Sequence, residues 1–199
     1  LSLVQLHSGQ MKVFQSPHRF KVVCAGRRWG KSRLSISTII RAAAKEKKQR
    51  VWYVAPTYQM ARQILWDDLQ EVLPRKWVRK KNDTTMTIVL KNGSEIALKG
   101  ADKPDTLRGV ALHFVVLDEF QDMKADTWYK VLRPTLSSTR GGALIIGTPK
   151  GFSEFHKLWT IGQNVELQRK GQWKSWQFVT ADSPFVPTAE IEAAKNDMD

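Results

Sequence analysis

Residues 20–32 read Phe20-Lys21-Val22-Val23-Cys24-Ala25-Gly26-Arg27-Arg28-Trp29-Gly30-Lys31-Ser32. The apolar run Val22, Val23, Cys24 and Ala25 reads as a buried strand. It breaks at Gly26, crosses a loop and reaches Gly30-Lys31-Ser32. Leu34, Ile36, Ile39 and Ile40 then fall at helical spacing. Strand, glycine-bearing loop, Gly-Lys-Ser and helix are the context a phosphate-binding loop requires. Glycine at 30 lets backbone N–H groups close around phosphates. The free N–H groups and dipole of the new helix favour the anion. In such a loop Lys31 reaches the β- and γ-phosphates, and the Ser32 hydroxyl sits on Mg²⁺. The nucleotide-binding stretch is therefore Ala25, Gly26, Arg27, Arg28, Trp29, Gly30, Lys31 and Ser32. One position departs from the G-x-x-x-x-G-K-S pattern: its first glycine is replaced by Ala25, with Gly26 next to it.

A second apolar run, Leu112-His113-Phe114-Val115-Val116-Leu117, delivers Asp118-Glu119 at its carboxyl end. An acidic pair placed there is the other half of an NTPase site. Asp118 orients Mg²⁺ and Glu119 polarises the attacking water. A third run, Gly142 to Gly147, ends in Thr148-Pro149-Lys150-Gly151 and brings a hydroxyl to the same crevice.

The remaining chain alternates helices with strands. Residues 1–19 read as a short helix, in which the sequence alone makes Gln10 an exposed residue. Val51 to Ala55 is a buried strand, and Thr57 caps a helix that Pro74 closes. Residues 75–81 hold five basic residues around Trp77. They fit equally a nucleic-acid contact and a solvated strand edge. Two β-rich runs flank Asn92-Gly93, a hairpin signal. A helix spans Ala125 to Leu132 and ends at Pro134. Residues 153–162 are helical, Trp173 to Val179 is a strand, and Thr188 caps a last helix. This alternation predicts an α/β fold with a mostly parallel sheet covered on both faces.

The 199 residues are 42% hydrophobic, enough for one well-buried core. Thirty-two basic against 19 acidic residues give +13, which points to a polyanionic partner such as nucleic acid. The single cysteine, Cys24, excludes an intrachain disulfide and reads as an inert core thiol. No apolar run approaches the roughly 20 residues needed to span a bilayer. An intracellular protein is expected, and the start at Leu1 suggests a piece of a longer chain.

The ordered set AGRRWGKS, DTLRG, VVLDEF and GTPKG resembles the ATPase domain of the large terminase subunit, which packages DNA in tailed bacteriophages. The likeness runs from Leu3 to about Asp182. It implies a P-loop NTPase, RecA-like three-layer sandwich. Residues 1–151 would be the ATPase core and 152–199 a small lid or linker subdomain. The family tolerates a variant first position in its phosphate loop, which accommodates Ala25. The resemblance makes Arg27 an additional arginine of the loop, Glu119 the catalytic glutamate and Thr148 part of the coupling motif. It makes Gln10 the adenine reader. It also makes Arg108 a candidate finger for a neighbour's site, and the sequence does not decide between Arg27 and Arg108 for that part. The implied ligands are ATP and Mg²⁺. The implied partners are double-stranded DNA, the portal protein, the small terminase subunit and further copies in a ring, a pentamer, with a monomer in isolation. The host cytoplasm is the implied location, and the family's nuclease domain is expected to be absent. A helicase-like translocase and a non-hydrolysing nucleic-acid-binding module are the alternatives.

Overall fold

The computed structural model describes residues 4–151, 153–184 and 187. Eight strands form one sheet in the order β3-β4-β5-β2-β6-β7-β1-β8. They are β1 (Phe20–Ala25), β2 (Arg50–Ala55), β3 (Val78–Asn82), β4 (Thr87–Leu90), β5 (Glu95–Gly100), β6 (Phe114–Leu117), β7 (Gly142–Gly147) and β8 (Trp173–Phe178). From β5 through β8 in this order every pairing is parallel, and β3-β4-β5 is an antiparallel extension.

Period-two alternation divides the sheet's side chains between two cores. Val23, Ala25, Val51, Tyr53, Leu144 and Ile146 face one cluster, together with α1 (Ser8–Gln15) and α2 (Lys31–Lys45). Phe20, Val22, Trp52, Val54, Ala143 and Ile145 face the other, with Trp128, Leu132 and Leu158. The result is the expected three-layer α/β sandwich.

The hairpin forms as its Asn-Gly signal predicts. Gly93 takes φ 83°, and β4 pairs antiparallel with β5. The basic stretch resolves into a short 3₁₀ turn, Arg75–Trp77, and the edge strand β3, whose residues after Val78 are exposed. Exposed lysines on an edge discourage strand-to-strand aggregation.

Four local expectations shift. The strand before Asp118 begins at Phe114 rather than Leu112. The helix capped by the Thr57 hydroxyl, which accepts from Met60 N at 3.1 Å, is not uniform. It runs as α3 (Tyr58–Ala61), a π turn (Arg62–Trp66) and α4 (Asp67–Val72). Pro134 does not end its helix: a π segment, Thr127–Leu132, passes into α5 (Arg133–Thr135). The change of turn puts Pro134 in a first turn, where a missing N–H costs nothing. Cys24 is half-buried rather than a core residue, and burial raises its thiol pKa against the opposing charge of Lys31.

Past β7 the chain forms α6 (Glu154–Gly162) and α7 (Val165–Arg169), then enters the sheet as β8 beside β1. The helix expected after Thr188 lies outside the described residues. No helix among the described residues is long and apolar enough to cross a membrane.

Candidate active site

The parallel strands end together, so the loops after β1, β6 and β7 converge on one rim. The loop after β1 turns into α2 at Gly30, whose φ of 95° belongs to glycine. A Cβ there would also overlap the Gln10 side-chain amide. No side chain caps the 15-residue α2, and its first turn has no acid. Its positive end is thus left for an anion.

Lys31 ties the three strand ends together. Its Nζ donates to Thr148 Oγ1 at 2.6 Å, after β7. It lies 3.4 Å from Glu119 Oε1, after β6. It also reaches the carbonyl of Ala25, at the end of β1, at 3.5 Å. Arg27, Lys31, Glu119, Gln121, Asp122, Thr148, Pro149 and Lys150 line an open pocket of about 440 Å³.

Asp118, next to Glu119 at the end of β6, is buried. Tyr53 Oη donates to its Oδ2 at 2.8 Å, and the Glu119 backbone N–H donates to its Oδ1 at 2.9 Å. Burial dominates and lifts its pKa to about 6, although the Tyr53 bond opposes the rise. Burial and Asp118 push the Tyr53 phenol well above its ordinary value. Glu119 has a left-handed backbone, φ 50°. Such geometry in a non-glycine residue is costly and concentrates at functional sites.

Two residues here were not singled out by sequence. Tyr53 looked like one more apolar residue of β2. Gln121 donates to Glu119 Oε2 at 2.6 Å while its oxygen accepts Thr148 N–H at 3.0 Å. Its position after the acidic pair was the only available signal.

The underside of the phosphate loop is held by distant elements. Trp29 is fully buried, stacked on Phe178 of β8 at 4.6 Å and edge-on to His7 at 5.0 Å. Gly26 N–H donates to the Phe178 carbonyl at 3.1 Å, and the Ser183 hydroxyl donates to the Arg28 carbonyl at 3.1 Å. Arg27 and Arg28 are exposed above this anchor, Arg28 at φ 59°.

Gln10 is buried, contrary to its reading as an exposed helix residue. Its Nε2 donates to the Gly30 carbonyl at 2.9 Å, and its oxygen accepts His7 N–H at 3.0 Å. His7 caps α1, and this reciprocal pair buries the amide. Arg108 is not brought to the pocket. It pairs with Asp105 at 2.9 Å in the exposed loop after β5, with β2, β6 and β7 lying between β5 and β1.

The donor set suits Mg²⁺. Each Asp118 oxygen accepts one hydrogen bond and retains lone-pair capacity. No group of three or more His, Cys, Asp or Glu side chains gathers among the described residues. Mg²⁺ is typically held by one or two carboxylates with water and substrate phosphates, so Asp118 with the Ser32 hydroxyl is a fitting protein share.

The parallel order β8-β1-β7-β6-β2, with the loop on β1 and the acids beyond β7, defines the P-loop, RecA-like α/β class. Within that class the chain belongs to the family described as terminase large subunit, T4likevirus-type, N-terminal, whose profile matches residues 22–198. A terminase large subunit of Thermus phage G20c is 33% identical over 176 residues, covering 78% of this chain and 36% of that protein. The chain thus spans little more than a third of that relative's length. The large terminase ATPase domain of Thermus phage P74-26 superposes with a TM-score of 0.77 at 27% identity, covering 89% of this chain and 82% of that one. A large terminase from a thermophilic bacteriophage, solved in complex with ATP-γ-S, shares the fold at 16% identity and TM-score 0.74, covering 96% of this chain and 49% of that one.

Proposed function

We propose that the chain is a Mg²⁺-dependent ATPase that powers translocation of double-stranded viral DNA into a procapsid. The observation that carries this reading is the position of Lys31, bonded to Thr148 and paired with Glu119 across three strand ends. A nucleic-acid-binding module without turnover has no use for a lysine, a glutamate and a hydroxyl converged in one pocket. The P74-26 relative is itself described as an ATPase domain.

The loop N–H groups and the α2 dipole bind the phosphates, and Lys31 leaves Thr148 and Glu119 to meet them. Release from Lys31 frees Glu119 Oε1, while Gln121 keeps hold of Oε2. Glu119 then accepts a hydrogen bond from the attacking water and orients it for in-line attack. Asp118 and the Ser32 hydroxyl would hold Mg²⁺, which neutralises phosphate charge when bound. Arg27 lines the pocket and adds positive charge at the transferring phosphoryl group. Gln10 fixes the loop through Gly30, and it would read the adenine edge once its amide leaves that carbonyl and the His7 N–H. Arg108, exposed and outside its own pocket, acts on the site of a neighbouring copy.

Ala25, Gly26, Arg28 and Trp29 complete the loop. The core comprises residues 1–151. Residues 152–199 are the lid or linker subdomain that couples nucleotide state to DNA movement, and its strand β8 docks on β1. The motor works in the host cytoplasm as a ring, a pentamer, on the portal protein, with the small terminase subunit presenting DNA. Phosphate release with Mg-ATP tests the reading: turnover that vanishes in Lys31→Ala supports it. Tight nucleotide binding without turnover at any protein concentration favours the non-hydrolysing module.

A further inference from the structure

The opposite end of the sheet carries a second concave site. Where β1, β6 and β7 begin, a recess of about 610 Å³ opens between the strand starts and the far ends of α1 and α2. β1 is six residues long, which separates the two rims by about 20 Å. Arg19, Lys21, Arg41, Lys45 and Arg140 line the recess, and Glu46 is the one acid among its lining residues.

These cations lack the usual counter-charges. Among the described residues only Lys45 has an ion pair, a loose one with Glu46 at 3.9 Å. Three of the others are fixed by main-chain carbonyls. Arg19 donates to Gly141 at 2.9 Å and to Leu136 at 3.2 Å. Lys21 donates to Val13 at 3.1 Å, and Arg41 to Phe14 at 2.8 Å. A guanidinium has five N–H donors and an ammonium three, so each keeps donors to spare. Burial first, then the Arg41 charge, brings Lys21 down to about 8. Burial, then Arg133 and Arg140, lowers Arg19. Five positive groups gathered in one recess against a single acid, Glu46, form a site suited to negative charge.

We propose that this recess is a second polyanion site, seating backbone phosphates of double-stranded DNA. Five cations call for several negative charges at once. A duplex supplies one per about 1.7 Å of its axis, and the arginine fork matches phosphate oxygens. The choice of DNA rests on the packaging role proposed above.

The test is binding of a short fluorescent duplex by the 199-residue chain without nucleotide, across a range of salt. The variant is Lys45→Gln with Arg140→Asn; neither side chain bonds a main-chain carbonyl among the described residues. Asparagine tolerates the φ of 53° at position 140. The control removes two charges from the β3 edge, Arg79→Gln with Lys80→Gln. The recess pair should bind about tenfold more weakly, with a salt slope shallower by about 0.9 for each phosphate no longer neutralised. The control should stay near the parent, and thermal unfolding should show both variants folded. Equal weakening in the control, or none in the recess pair, overturns the proposal. So does a polyglutamate peptide that binds more tightly than duplex and depends on the recess, which would assign it to an acidic protein segment. Because no ATP is present, failure of the ATPase reading would appear separately, as absent turnover with DNA binding intact.

Discussion

The Gln121 side-chain oxygen accepts the backbone N–H of Thr148 at 3.0 Å, and the same amide donates to Glu119 at 2.6 Å. One side chain therefore joins the residue proposed to activate water to the strand end proposed to sense its phosphate. A Cβ on Gly147 would overlap that oxygen, so a glycine before Thr148 is part of the arrangement. Gln121→Ala should lower ATP turnover by about 10- to 100-fold with nucleotide affinity nearly unchanged, the pattern of lost positioning. Steady-state phosphate release beside equilibrium nucleotide binding separates the two effects. A matching loss in binding would instead make Gln121 a ligand.

Asp118 sets a pH dependence. Its pKa of about 6 lies above the ordinary carboxylate value, so the folded chain holds a proton that the unfolded chain has released between about pH 4 and 6. Stability without ligand should fall as pH rises through that window. Mg²⁺ needs the ionised form, so Mg²⁺-dependent nucleotide affinity should weaken as pH drops below about 6, by up to roughly tenfold per unit. Tyr53→Phe removes the bond that holds this pKa down, so the affinity limb should move to higher pH. An unchanged limb in Tyr53→Phe would disconnect the tyrosine from Asp118.

Trp29 should matter more for stability than for contact with nucleotide. Trp29→Ala removes a buried ring between Phe178 and His7 and should cost about 3–5 kcal/mol. Trp29→Phe keeps the stack and should cost markedly less. Urea midpoints test both, and equal midpoints for the two variants would contradict the packing role.

Gly30→Ala combines strain at φ 95° with a clash against Gln10. Nucleotide affinity should fall at least about tenfold while far-ultraviolet circular dichroism stays at the parent level. Unchanged affinity would show that the loop reaches its binding form by another backbone path.

What the sequence revealed was whatever is encoded locally. The run from Val22 into Gly30-Lys31-Ser32, the Asn92-Gly93 turn and the acids after Leu117 each carry their signal within a few residues. What it hid depends on long-range pairing. Nothing near Trp29 announces that Phe178 lies beneath it, because that contact needs β8 to dock beside β1. Gln10 looked exposed because its partner, the Gly30 carbonyl, is 20 residues away. Tyr53 stood out only once β6 placed Asp118 against its hydroxyl. The π turns were missed because their wider winding shifts the helical period that an apolar pattern reports.

The most direct measurement is steady-state phosphate release with Mg-ATP by the parent chain and by Glu119→Gln, over a range of protein concentration. The parent should turn over ATP, and more actively per molecule at higher concentration if Arg108 serves a neighbour. Glu119→Gln should bind ATP with similar affinity and release phosphate at least about 100-fold more slowly. Undiminished turnover in Glu119→Gln would contradict the assignment of the site.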